Sequence, residues 1–281
     1  MTHALAGAVA LGATLDGGAA AAGPFAPEPP RRVLSMNLCT DQLALLVAAP
    51  GQLISVSYLS HDPRSSVMAA EAAALPANHG LAEDIVLMRP DLVLAGQFTH
   101  TGSTAMLQRL GARVEVFAPD ESLEDIRSNL RRMGILLGRE EQAEAVIARF
   151  DADLAALASM PAPALRTALY AANGYSPGDA SLAGSILRAA GLVNVAADLG
   201  LGAGGFLMLE DLLLSDPDLL VLHERHSRPS RAEEVLTHPA LRALTAHRAT
   251  ETMADSDWIC GTPYVARAIA RLRATARDAR K

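Results

Sequence analysis

The sequence predicts an α/β protein of two lobes with mostly parallel sheets, joined by a single long α-helix. Three observations predict it. First, one stretch occurs twice, 127 positions apart: Glu83-Asp84-Ile85-Val86-Leu87-Met88-Arg89-Pro90-Asp91-Leu92-Val93-Leu94 and Glu210-Asp211-Leu212-Leu213-Leu214-Ser215-Asp216-Pro217-Asp218-Leu219-Leu220-Val221. Glu-Asp opens a helical turn, the residue before Pro leaves helical geometry, and Pro-Asp feeds an apolar run that fits a strand buried on both faces. Second, both halves repeat the order strand, loop, helix, which implies parallel strands with crossover helices. Third, residues 140–159 hold neither Gly nor Pro and place Ala143, Val146, Ile147, Phe150, Leu154 and Leu157 at helical spacing. Such a helix is about 30 Å long and stiff. Pro161-Ala162-Pro163 ends it at a natural lobe boundary.

With 281 residues the chain can build two cores. Half the residues are hydrophobic and a fifth are charged, a globular composition rather than a disordered one. A net charge of -7, without any Lys/Arg run, argues against nucleic acid as the main partner.

The leader over residues 1–30 is small and apolar, then Ala-rich and Pro-rich. It has the form of a secretory signal with a cleavage site near Ala20-Ala21-Ala22, or of a disordered Ala-rich tail. Its n-region has His3 but no Lys or Arg, and Asp16 interrupts its tail, faults that a start codon further upstream would explain. No stretch approaches the roughly 20 apolar residues of a membrane span. Cys39 and Cys260 are too few for a disulfide framework. They fit one disulfide in an oxidising compartment and two buried thiols equally well.

In chain order, a strand over 33–36 runs into a helix capped by Asn37 or Thr40, and Pro50-Gly51 stops it. A strand over 53–57, the loop from Tyr58 to Arg64 and an Ala-rich segment lead to the first repeat copy, whose strand covers 91–95. A helix over 104–110 stops at Gly111, and a strand over 114–118 follows. Ser122-Leu123-Glu124-Asp125 carries a capping-box signature for a helix over 123–137, stopped by Gly138. The second lobe offers a strand over 167–171, an exit loop Asn173 to Gly178, a helix over 182–190 stopped by Gly191, and a Gly-rich loop from Gly200 to Gly205. The second repeat copy, a short helix opened by His238-Pro239, a strand over 251–253 and a closing helix complete it. The predicted units are the leader (1–30), a first lobe (31–121), a helical connection (122–160) and a second lobe (161–281).

Ligands collect at the carboxyl ends of parallel strands. Those ends are 37–40, 58–64, 97–101, 173–178, 223–226 and 255–260. They hold Tyr58, Phe98, Tyr175 and Trp258 in a chain with only ten Phe, Trp and Tyr residues. Flat aromatics there suit an apolar contact surface, though each could also cover a sheet end. The candidate ligand contacts are Asn37, Tyr58, Gln97, Phe98, Tyr175, Phe206, Arg225 and Asp257. Arg225 suits an anionic ligand or a solvated loop. His61, His100, His223 and His226 lie in the loops without forming a tight metal cluster, and His223 reads by default as a rim residue. There is no Gly-x-Ser-x-Gly elbow, Walker loop or His-Glu-x-x-His, so catalysis is not expected.

The chain from about Arg31 to Leu272 resembles the periplasmic solute-binding proteins of ABC importers for cobalamin, iron-siderophores and haem. The resemblance is carried by Arg32 to Leu43, Glu83 to Gly96, Ser122 to Ile126, Tyr175 to Leu182, Leu209 to Leu212 and Trp258 to Pro263. It implies a class III binding-protein fold, a periplasmic monomer without cofactor, and a bound ligand such as cobalamin, a ferric siderophore, haem or a quinone cofactor. It also implies docking to an inner-membrane permease dimer through one Glu on each lobe, by position Glu83 and Glu210. Gly96-Gln97 departs from the bulky aromatics that cobalamin binders carry there, and Cys260-Gly261 stand where charge is expected. The competing expectations are a direct metal-ion binder using cleft histidines and a cytosolic α/β enzyme.

Overall fold

The computed structural model describes Met1 and residues 28–225 and 230–280. The leader thus falls almost wholly outside the described residues, and so does His226. Eleven strands are described: β1 (Val33–Ser35), β2 (Leu53–Ser57), β3 (Ala77–Asn78), β4 (Leu92–Gly96), β5 (Val114–Phe117), β6 (Arg166–Tyr170), β7 (Tyr175–Pro177), β8 (Val193–Asn194), β9 (Gly204–Phe206), β10 (Leu219–His223) and β11 (Ala249–Met253). The first five form one parallel sheet in the order β3-β2-β1-β4-β5. A second parallel sheet runs β11-β10-β6-β8.

The repeat yields the same local structure twice. Helices Ala82–Leu87 and Leu209–Leu214 occupy identical repeat positions, and so do β4 and β10. Between helix and strand, Arg89 and Asp216 both take left-handed backbone, with φ of 48° and 43°. The following proline disfavours the helical region, so the chain leaves the helix abruptly. An aspartate then anchors each central strand pair. Asp91 accepts from the Arg31 and Arg32 N–H groups at 2.7 and 3.0 Å, and Asp218 from the Arg166 N–H at 2.9 Å. In return Arg32 donates to the Met88 carbonyl at 2.7 Å, and Arg166 to the equivalent Ser215 carbonyl at 3.1 Å. The unpaired carbonyls at each helix end are thereby satisfied.

Helix Leu123–Leu137 starts at the Ser122–Asp125 capping box and stops on left-handed Gly138. It packs along the linking helix Glu140–Ala158. Both contact helix Leu38–Val47 of the first lobe and helix Leu182–Ala190 of the second. One apolar core therefore runs through the molecule, from Leu43, Leu94 and Phe117 through Ile126, Leu130, Ile147 and Phe150 to Leu169, Ile186 and Leu272. Smaller cores around Ile85 and Leu107, and around Tyr170 and Leu212, fill the other face of each sheet. The Gly-rich loop departs from the expectation. Its end pairs as β9 with β7 in an antiparallel ribbon that sets Phe206 opposite Tyr175.

Behind the first strand ends lies a buried carboxylate. Asp41 accepts from the Ser57 N–H at 3.0 Å and the Ser60 hydroxyl at 2.7 Å, yet burial pushes its pKa up to about 7. The folded state thus holds a proton that the unfolded chain releases above about pH 4. Stability from Asp41 is full below that pH and is lost as pH rises toward 7, by up to about 1.4 kcal/mol per pH unit. Asp41→Asn should flatten that decline in urea titrations between pH 4 and 7, with a smaller share of it remaining from Asp120, whose pKa is raised to about 6. Phe150→Ala should cost about 3–5 kcal/mol. Because the core is continuous, it should still unfold in one transition by circular dichroism; two separated transitions would contradict that continuity.

Candidate ligand-binding cleft

In each sheet the strand order reverses beside the central strand, and the loops on either side of that point converge. After β1 comes Asn37, whose side-chain oxygen caps its helix by accepting from the Cys39 and Thr40 N–H groups. Its amide nitrogen donates to the Thr99 hydroxyl at 2.8 Å, tying the loop after β1 to the loop after β4. Gly96 is required for this approach, since a Cβ there would sit 2.6 Å from the Asn37 amide. Around them is a chamber of about 200 Å³ lined by Asn37, Gln97, Phe98, Thr99, Asp120 and Asn129, among others. Asp120 accepts from the Asn129 amide at 2.9 Å and from the Gly261 N–H; burial dominates and holds its pKa at about 6.

In the second sheet the loops after β6 and β10 frame a chamber of about 360 Å³, lined by Tyr170, Tyr175, His223, Asp255, Trp258 and Ile259, among others. It is mostly apolar apart from one dyad. His223 Nε2 lies 2.8 Å from an Asp255 carboxylate oxygen, and that hydrogen bond holds the imidazole pKa above its ordinary value. Tyr175 meets Phe206 edge to face at 6.3 Å.

Ile259 lines both chambers, and the next residue, Cys260, is bonded to Cys39. The cysteines are therefore one disulfide, linking the two lobes between the chambers.

Of the predicted contacts, Asn37, Gln97 and Phe98 share the first chamber, while Tyr175 lines the second with Phe206 against it. Tyr58 stacks on His79 at 4.7 Å and lines neither. Arg225 is exposed beyond β10. Asp257 turns away, accepting from the Arg271 guanidinium and the Ala254 N–H, both at 2.9 Å. Sequence reasoning missed Asp120 and Asp255 and left His223 as rim. The available signal for His223 was the repeat, which places it level with Gly96. Among the described residues no three His, Cys, Asp or Glu side chains are grouped to hold a metal ion.

A second surface also follows the repeat. Glu83 and Glu210 are exposed in the first turns of their helices. Beside them Leu81 and Met208, Val86 and Leu213, and Leu87 and Leu214 are exposed in register, the last pair at 81% and 82%.

Gly261→Ala should disturb the junction between the lobes, because its Cβ would meet the Asp120 carboxyl carbon at 2.2 Å. The expected cost is about 1–3 kcal/mol. Thermal melts should show most of it recovered in the Asp120→Gly background.

A family model described as periplasmic binding protein matches residues 33–253. A cobalamin-binding protein of Halobacterium salinarum is 25% identical over 226 residues, covering 78% of this chain and 61% of its own length. The chain thus spans about three fifths of that curated relative. Among solved structures, the periplasmic haem-binding protein RhuT of Roseiflexus sp. RS-1 aligns with a TM-score of 0.73 at 20% identity, over 89% of this chain and 99% of that one. The vitamin B12-binding protein BtuF of Vibrio cholerae aligns at 0.68 and 19% identity, over 90% and 99%. An Fe3+-hydroxamate transport protein of Saccharomonospora viridis gives 0.67 and 22%, over 88% and 93%. These likenesses establish the two-lobed class III fold, and the family is one of substrate-binding proteins rather than enzymes. By the match across most of its length, the chain belongs to the periplasmic binding protein family.

Proposed function

We propose that this protein is the periplasmic substrate-binding component of an ABC importer, which captures a cobalamin-like, haem or ferric-siderophore ligand between its lobes. The observation that carries this is the pairing of two unlike chambers at the strand-order reversals of facing lobes. The second chamber offers Tyr175 and Trp258 to a flat apolar body, and the first offers amides, hydroxyls and Asp120 to polar substituents. Asn37, Gln97, Phe98, Tyr175 and Phe206 are the contacts we assign from the sequence, and His223 and Asp255 those we add. The disulfide is in keeping with an oxidising compartment such as the periplasm.

Delivery runs through Glu83 and Glu210 to a permease dimer. Support comes from the repeat itself: each lobe presents one exposed glutamate beside the same three exposed aliphatic positions. A partner built from two equal subunits can engage both copies, the charges setting register and the aliphatics supplying buried area.

A thermal-shift screen with haem, cobinamide, cobalamin and a ferric hydroxamate tests the ligand class. A ligand at a hundred times its Kd stabilises by about 2.7 kcal/mol and should raise Tm by about 5–10 °C. If none of the four moves Tm, the ligand reading fails. Glu83→Arg combined with Glu210→Arg should abolish uptake into permease-containing vesicles while leaving affinity for the screened ligand intact; unchanged uptake removes the docking assignment.

A further inference from the structure

We infer, resting on the ligand-binding reading above, that the cleft selects its cargo by charge: Asp120 receives an ammonium or amide N–H group, so the chelate is cationic or neutral rather than anionic. Among the described residues lining the first chamber, Asp120 is the only ionisable side chain. Those lining the second chamber bring Asp255 and its partner His223, with no Lys or Arg among them. A carboxylate therefore stands in each chamber. The one group in either lining that can turn positive, His223, is bonded to Asp255 at 2.8 Å, so its charge is matched within the wall.

The charges packed around the first chamber do not reverse this balance. Arg132 lies 4.2 Å over the Phe117 ring, where it donates to Glu115 at 3.1 Å and to the Val116 carbonyl at 2.9 Å. Asp125, in the first turn of the same helix, adds negative charge near Asp120. In the second lobe Arg271 is bonded to Asp257 and Glu251. Arg64 and Arg225 stand outside both linings.

Burial above all, with the Asp125 charge adding to it, raises the Asp120 pKa to about 6 against the lowering effect of the Asn129 amide. At neutral pH the carboxylate is ionised. Three N–H groups donate to it, from Asn129, from Gly261 and from its own backbone. An ionised carboxylate accepts about four, so a ligand ammonium or amide N–H completes the set. A ligand carboxylate against the same wall would meet like charge and lose its water without gaining a partner. Discrimination thus comes from repulsion of the wrong ligand as well as attraction of the right one. As pH falls through about 6, Asp120 takes up a proton and ceases to pair with a cation. Its ionised fraction drops roughly tenfold between pH 7 and pH 5, and affinity for a cationic ligand should drop with it. Protonation of His223 acts in the same direction and is the share that Asp120→Asn leaves in place.

Matched ligands test this. Ferric desferrioxamine B carries an ammonium on a neutral hydroxamate core, its N-acetyl form is neutral, and its N-succinyl form is anionic. Diaquocobinamide and cobyrinic acid make a second set, the side-chain amides of one being carboxylates in the other. Kd should be measured by calorimetry at pH 7 and pH 5 for the wild type and Asp120→Asn, with haem alongside. On whichever core binds, the cationic member should bind roughly tenfold tighter than the anionic one at pH 7. That ratio should shrink at pH 5, and most of it should vanish in Asp120→Asn. The wild-type comparison needs no variant, so the charge order is read even if Asp120→Asn fails to fold. An anionic member that binds as tightly as its cationic counterpart overturns the selection, and so does haem, with two carboxylates, bound where neither core is. A charge order that persists undiminished in folded Asp120→Asn removes Asp120 as its source. If no ligand binds in any form, the ligand-binding reading itself fails and the selection with it, an outcome distinct from binding without a charge order.

Discussion

Everything in this molecule depends on one constraint: two parallel sheets must hold their carboxyl edges against a common cleft. A parallel sheet gathers its loops at one edge, and two such edges make a site only if something fixes their separation and direction. Here the continuous core does so. Ile126, Leu130, Met133, Ile147 and Phe150 are buried together with residues of both lobes. The lobes are therefore not beads on a linker. Sliding one against the other would expose the core that stabilises both, which favours a nearly rigid cleft.

The repeat explains how one sequence device supplies both the sheets and the outer surface. In each lobe the Arg–Asp latch starts the central strand pair, so the strands begin in register and their carboxyl ends meet at the chamber. The helix preceding the latch has little of its own length to bury. Ile85 and Leu212 point inward, and the aliphatics one and two positions later remain in solvent. A six-residue helix that buries only Ala82 and Ile85, or only Leu212, and exposes Leu87 or Leu214 costs the isolated protein something in solubility. The same cost in both lobes at the same positions is better explained by a partner than by chance.

Local chemistry made much of the fold legible. The Asn37 cap, the Ser122 capping box, left-handed Gly138 and Gly191, and the Pro breaks are short-range devices whose physics lies within a few residues. Long-range pairing left weaker marks. The β7–β9 ribbon joins a segment containing Pro177 to one containing Gly204 and Gly205, and neither carries strand propensity; the tertiary frame imposes the pairing. Asp257 illustrates the limit at the site. It stands at the end of a strand, as ligand contacts do, yet Arg271 from the closing helix and the Ala254 N–H claim its carboxylate. Asp255, two positions earlier, keeps the chamber-facing place beside His223. Spacing alone cannot choose between two aspartates when the deciding cation is 14 residues away.

The two chambers differ for the same structural reason that they exist. In the first lobe, Gly96 lets the Asn37 side chain cross to Thr99, so amide and hydroxyl groups fill the reversal point. In the second, His223 occupies the repeat position of Gly96 and turns to Asp255, leaving the wall to Tyr175 and Trp258. A symmetric duplication thus became an asymmetric cleft through one glycine-for-histidine difference and its partners. On the proposed function, a ligand lying across it would meet hydrogen-bonding groups at one end and aromatic faces at the other. Its orientation would then be set by polarity, because reversing it would bury polar substituents against apolar walls without partners.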